Sequence, residues 1–212
     1  SVSVIKDGMV IQTVSNIGDV VQSLLVDQDK LFVAVNNSHK INIYDITEDG
    51  LLLPGIEIDT NGSSPREMTI VDNRLYFTNW NSQDVKILNL FTYDFETPIK
   101  VDGLPESIVN NEENIFVGIM MNSSYGTSRV VIKEDNKTSL NPVTIVDYGA
   151  GVVCGGSVHS FRKSYYRSYL GGVAKLNEDL SINENSLIGF ADNSYTYSVE
   201  TINDKVYIGT LN

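Results

Sequence analysis

Gln22, Arg66, Glu106 and Tyr197 each stand near the start of a short strand-like segment, and these segments recur along the chain. Brought side by side, the four side chains would ring one opening. They differ in charge and hydrogen-bonding type, whereas a merely structural ring tends to repeat one residue. Arg66 offers a planar fork of donors suited to a carboxylate or phosphate. The competing reading is an Arg66–Glu106 ion pair across neighbouring repeats, which uses the fork internally. A second group lies in "SFRKSYYRSYLGG", which holds Arg162, Lys163, Tyr165, Tyr166, Arg167 and Tyr169. This is a basic-aromatic cluster in a chain of net charge −12. Tyr and Arg dominate binding energy at many interfaces. Trp80 is the only tryptophan and a further anchor candidate. The alternatives are a hairpin with tyrosines packed on its neighbours, and a rim tryptophan covering the next repeat.

Catalytic patterns are poor. The chain has no HExxH, no Ser-His-Asp spacing and no phosphate-binding glycine loop. Glu67, Glu106 and Glu200 lie at or near strand starts and can converge, and calcium takes carboxylates with loop carbonyls. Cys154 is the single cysteine, so an internal disulfide and a CxxC site are excluded. Within "GVVCGGSV" it reads as a small buried hydrophobe rather than the partner of His159. The other histidine, His39, is remote in sequence. Asn36, Asn61, Asn122 and Asn136 open Asn-x-Ser/Thr triplets, acceptors only in a eukaryotic secretory setting.

The acidity argues against nucleic acid or an anionic membrane as the main partner, since both are bound through a Lys/Arg surplus. No apolar run approaches the roughly 18 residues of a membrane span. Ser1 opens directly onto strand-like sequence, so no signal peptide is expected within the chain.

The elements that must position these residues are repeats. "LFVAVNNSHKINIYD" and "LYFTNWNSQDVKILN" align from Leu31 to Leu75 (75 − 31 = 44) and from Ile41 to Val85 (85 − 41 = 44). Further copies begin at Ile115, Val158 and Val206. Each unit reads as four short strands separated by turns such as "DQDK", "VDNR" and "TEDG". Period-2 alternation prevails, and a repeat of about 40–45 residues with four strands is the signature of a β-propeller blade. The second-to-third-strand step is nine residues from Phe32 to Ile41 (41 − 32) but fourteen from Phe116 to Val130 (130 − 116) and from His159 to Val173 (173 − 159). The third and fourth repeats are therefore expected to carry longer loops there, the fourth being the basic-aromatic run.

"YFTNWNSQDVKILN" resembles the YVTN-type propeller repeat of surface-layer and lactonase-like proteins, and "FVAVNNSHKINIYD" fits without the Thr-Asn. The resemblance covers essentially the whole chain. The repeats and the way the two ends supply complementary strand pairs predict an all-β, five-bladed β-propeller of four-stranded antiparallel blades in one domain, 1–212. The blades are placed at 18–60, 61–104, 105–149 and 150–193, with 194–212 plus 1–17 closing the ring as a two-plus-two Velcro blade. A fragment of a larger ring is the alternative. The family spans display proteins and enzymes, so two functions stand. The first is a non-enzymatic binding or surface-display module without cofactor, extracellular, periplasmic or at the cell surface, holding a peptide, carbohydrate or protein. The second is a metal-assisted hydrolase of lactonase type, in which the resemblance implies calcium or another divalent metal in the channel.

Overall fold

The computed structural model describes residues 1–101, 103–110, 114–120, 125–131, 142–147, 158–161, 164–169, 172–177, 181, 183–186, 188–189, 195–202 and 205–211. It is an all-β chain of antiparallel sheets. A hairpin of β1 (Val2–Lys6) and β2 (Met9–Val14) precedes the first sheet. That sheet runs β3 (Val21–Asp27), β4 (Lys30–Val35) and β5 (Lys40–Thr47), with β6 (Gly50–Leu51) and β7 (Ile56–Asp59) both paired to β5. The second sheet is β8 (Pro65–Val71), β9 (Arg74–Asn79), β10 (Asp84–Asn89) and β11 (Ile99–Lys100). The third is β12 (Leu104–Asn110), β13 (Asn114–Met120), β14 (Tyr125–Val131) and β15 (Pro142–Asp147). The fourth is β16 (Val158–Phe161), β17 (Ser164–Tyr169), β18 (Gly172–Leu176) and β19 (Ile188–Gly189). A last hairpin joins β20 (Tyr195–Ile202) and β21 (Lys205–Leu211).

The sequence of β4, "KLFVAV", explains the stacking. Leu31, Phe32, Val33, Ala34 and Val35 are all buried, so both faces of the strand are covered. Alternate residues point opposite ways. Leu31, Val33 and Val35 cluster with Val2, Val14 and Ile17 on one side. Phe32 and Ala34 cluster with Met68, Leu75 and Phe77 of the second sheet on the other. The pattern repeats one interface on, where Tyr76, Val85 and Ile87 meet Ile108, Ile115 and Val117. The apolar core thus lies between sheets rather than inside any one of them. Each large side chain so covered contributes about 1.5–3 kcal/mol.

The inner strands form a continuous row: β3 lies beside β8, β8 beside β12, β12 beside β16, and β16 beside β20. The register between first and second strands slips near its start at Val21/Ser23, Pro65/Met68 and Pro105/Ser107, and again at Thr196/Ser198. That shared bulge marks β20–β21 as a first-and-second-strand pair.

Three expectations meet the structure differently. First, β1–β2 and β20–β21 are two separate two-stranded sheets rather than one sheet of four. The N-terminal hairpin is held by its apolar contacts to β4, and Leu24 and Val26 on β3 remain 55% and 61% exposed. Met68, which pairs with Phe77 as Leu24 pairs with Val33, is only 7% exposed. Second, the longer step in the third repeat is mostly one of phase: the register pairs Val130 with Ile115 as Tyr44 pairs with Leu31, and the β13–β14 ladder runs only one residue pair further, to Met120 and Tyr125. Third, the basic-aromatic run is not a loop. Tyr165, Tyr166 and Arg167 lie in β17, the second strand of the fourth sheet, because "VHSF" forms that sheet's inner strand and shifts the phase. Tyrosine fills three of the six places in β17, and aromatic residues suit a pleated strand.

Tyr76 yields a pH prediction. Its ring is fully buried, and burial pushes the phenol up to about 12. The unfolded chain releases this proton near pH 10, so the unfolded state binds fewer protons above that pH. Stability is then complete below about pH 10 and falls by about 2–3 kcal/mol as pH rises toward 12. Denaturant titrations of wild type and Tyr76→Phe across this range should show a shallower decline in the variant.

Candidate functional site

Arg66 is the second residue of β8, and its backbone is fixed from two directions. The Ser23 hydroxyl donates to the Arg66 carbonyl at 2.5 Å. Two residues earlier, the 63–64 backbone accepts from the hairpin above it: Trp80 N–H bonds Ser64 O at 3.1 Å, and Asn81 N–H bonds Ser63 O at 3.0 Å. Ser64 itself sits at φ 58°, the left-handed turn that aims the chain into β8. The Ser64 N–H bond to His39 Nδ1, 3.1 Å, braces the same turn from the first sheet.

With its backbone held, the Arg66 side chain joins three sheets. Nε and Nη2 donate to the two Glu106 carboxylate oxygens on β12, at 3.0 and 2.5 Å. Nη1 donates to Gln22 Oε1 on β3 at 2.8 Å. The guanidinium carbon lies 4.1 Å from the centroid of the Trp80 ring. Arg66 and Glu106 side chains are each 13% exposed, so this is a largely desolvated pair. Gln22, Arg66 and Glu106, which stand at equivalent places in neighbouring repeats, thus meet in space, with Trp80 over the guanidinium. The planar fork, however, is spent on Glu106. An external carboxylate or phosphate would have to displace a paired carboxylate first. What the group offers a ligand is the Gln22 amide nitrogen, two remaining guanidinium N–H bonds and the indole. Trp80 Nε1 is buried and has no hydrogen-bond partner.

Two residues of the "YFTN" stretch do more than the sequence reading assigned them. Thr78 Oγ1 accepts from Glu67 N–H at 3.0 Å and donates to Glu106 O at 2.9 Å, so it stitches β8 to β12 beneath Arg66. Asn79 is fully buried. Its amide donates to Phe77 O at 3.0 Å and Asp84 Oδ1 at 3.2 Å, while its oxygen accepts from the Ser63 hydroxyl at 2.6 Å. Asp84 also accepts from Ser82 at 2.5 Å and from Lys100 at 3.3 Å. This knot fixes the 80–83 hairpin, and hence Trp80, over Arg66. The signal was present as the Thr-Asn of the repeat; what sequence alone lacks is the partner list.

Glu67, another candidate, accepts from Ile108 N–H at 3.4 Å through its carboxylate. Among the described residues, no three His, Cys, Asp or Glu gather as metal ligands. Tyr197 and Glu200 lie on β20 at the backbone level, and their side chains, like those of Tyr165, Tyr166 and Arg167, are outside the described part. Arg162, Cys154, Asn122 and Asn136 lie outside the described residues. Asn36 is buried and donates to Pro65 O at 3.1 Å, so its amide is a sheet-to-sheet link.

No family model and no curated protein sequence matches the chain. Solved structures do share its shape. BamB from Moraxella catarrhalis superposes with a TM-score of 0.63 at 11% identity, over 95% of this chain and 60% of that one. The dihydro-heme d1 dehydrogenase NirN, in complex with DHE, gives 0.61 at 10% identity, over 85% and 40%. The computationally designed Ika8 protein gives 0.59 at 12% identity, over 90% and 55%. The chain thus spans about half the length of these structures. BamB and NirN are β-propellers, and the sheet-on-sheet stacking described above is the propeller arrangement.

Proposed function

We propose that the chain is a non-enzymatic binding or display module whose Gln22–Arg66–Glu106–Trp80 mouth receives a neutral, acceptor-rich segment of a peptide, carbohydrate or protein partner. The observation that carries this reading is the guanidinium held by three sheets under the only tryptophan. Such a residue is preorganised, and preorganisation lowers the cost of binding. Its charge is already balanced by Glu106, which favours carbonyl and hydroxyl acceptors over anions. The acidic surface argues against nucleic acid or membrane insertion as the target. Among the described residues no helix is long and apolar enough to cross a membrane. The reading includes a YVTN-type repeat, an exported location and no resident cofactor. Calcium at the mouth would require Glu106 to leave Arg66, and no observation favours that exchange.

The test is selection from displayed peptide and immobilised glycan libraries, followed by titration against wild type and Trp80→Ala. Loss of at least about tenfold in affinity is expected for the variant. Binders that ignore this substitution, or no binder in either library, would overturn the mouth as the site.

In the same reading the ring closes at five sheets, β21 pairing with β1. The β20–β21 bulge supports this, since it supplies the first two strands that β1–β2 lacks. So does the uncovered face at Leu24 and Val26. Cysteines placed on facing positions of β1 and β21, in a Cys154→Ala background, should give an intramolecular cross-link. Only intermolecular cross-links would point to a larger ring instead.

A further inference from the structure

The second and first sheets solve the same packing problem with opposite residues. On the second sheet Leu88 of the third strand is bridged to Phe95, and Lys86 stretches to Thr60 O at 2.5 Å while lying 5.7 Å over the Phe95 ring. The first sheet has Tyr44 and Asn42 at these places (88 − 44 = 44; 86 − 42 = 44), and Gly55 across from Tyr44. A Cβ on Gly55 would come within 2.5 Å of the Tyr44 ring and 2.6 Å of Ile43 O, so the glycine is what lets the tyrosine lie flat. Asn42 is too short to do what Lys86 does. Its amide approaches Ile17 O, at 3.4 Å, and also bonds the neighbouring Tyr44 side chain. The space left over is a cleft of about 470 Å³ between β5, β7 and the segment 14–17.

We infer that this cleft is a second ligand site, separate from the Arg66 mouth, for a neutral saccharide of one or two pyranose rings. Its volume lies in the range of small-molecule sites, roughly 300–1,000 Å³. Its wall is amphiphilic in the way a sugar is. Leu53 and Pro54 offer an apolar, solvent-facing strip, and Asn42, Tyr44 and the Lys40–Glu57 pair offer donors and acceptors beside it. Lys40 and Glu57 meet at 2.5 Å, so the site presents no net charge, and an ionic ligand would have to part them. Burial pushes the Tyr44 phenol up, which keeps its hydroxyl protonated and able to donate. Sugars have CH faces for the strip and paired hydroxyls for the polar wall, and none of these groups is a strong ion receptor.

The experiment is saturation-transfer NMR and titration with glucose, galactose, mannose, N-acetylglucosamine and their disaccharides, up to about 50 mM, where weak single-site binding is still measurable. Wild type is expected to bind at least one of them. Asn42→Lys, which installs the second sheet's own residue, and Leu53→Ser, on an exposed wall, should each weaken it at least about tenfold with melting temperature preserved. Trp80→Ala should leave it unchanged. The inference is overturned if no sugar binds, or if both cleft variants bind like wild type. It is also overturned if Trp80→Ala removes the signal, which would instead place the sugar at the mouth and support the reading above. Intact cleft binding with no ligand at the mouth would sink that earlier reading and leave this one standing.

Discussion

Arg66→Ala is expected to destabilise the protein by about 2–4 kcal/mol. Three partners are stranded at once. Glu106 keeps a carboxylate that is 13% exposed with no cation beside it, Gln22 loses its donor, and one face of Trp80 is uncovered. The residual exposure keeps the figure below that of a fully buried pair. Removing both charges together, as Arg66→Met with Glu106→Gln, should recover part of the loss, because the main penalty is the uncompensated charge. A double-mutant cycle by urea denaturation should return a coupling of about 1–3 kcal/mol. A coupling near zero would mean that the pair is screened and that the three sheets are held by apolar contacts alone. Trp80, as the only tryptophan, provides an independent readout: its emission should shift in Arg66→Ala.

Asn79→Val should cost about 2–4 kcal/mol, although valine is the residue the first sheet carries at the same place, Val35 (79 − 35 = 44). In the first sheet Val35 packs among Leu31, Val33 and Ile17. In the second, the position is surrounded by Ser63, the Asp84 carboxylate and two backbone carbonyls, all of which Asn79 satisfies. Valine would leave the Ser63 hydroxyl and one Asp84 oxygen short of a partner. The hairpin 80–83 should loosen with it, so amide exchange there should accelerate before global unfolding. If stability and exchange are both unchanged, the knot is ornamental and Trp80 is held by Ser63 and Ser64 alone.

Much of this architecture is legible as sequence. The 44-residue step from Leu31 to Leu75 (75 − 31) fixes the phase of the first two sheets, since the same alternation must bury the same faces. It also brings Gln22, Arg66 and Glu106 together, because equivalent places in neighbouring repeats become neighbours in space. The phase fails at the fourth repeat. "VHSF" looks like a second strand by its apolar letters, and only pairing with "SYYRSY" shows it to be the first. The Ser, Tyr and Arg of β17 are as much at home in an exposed loop, so letters alone cannot separate the two. The choice between an open Arg66 fork and an Arg66–Glu106 pair was illegible for a different reason. Whether an Arg fork is open depends on where the nearest carboxylate points, and that is a property of side-chain geometry across a sheet boundary. Asn79 is the same lesson reversed: a polar residue in a buried strand signals a local network, but the strand does not name its members.

The exchange of Tyr44 and Gly55 for Leu88 and Phe95 bears on how such a chain changes over time. The aromatic ring stands on the third strand in the first sheet and across from it in the second. Neither half of that exchange is tolerable by itself: a phenylalanine at Gly55 would collide with the Tyr44 ring, and a glycine at Phe95 would leave Phe77, whose ring lies 6.3 Å away, without its neighbour. Repeats that began alike cannot then trade single strands. Segments cut for recombination between them should break at the connections before the inner strands, carrying whole cross-strand pairs, and chimeras cut inside a sheet should be lost from any library selected for solubility.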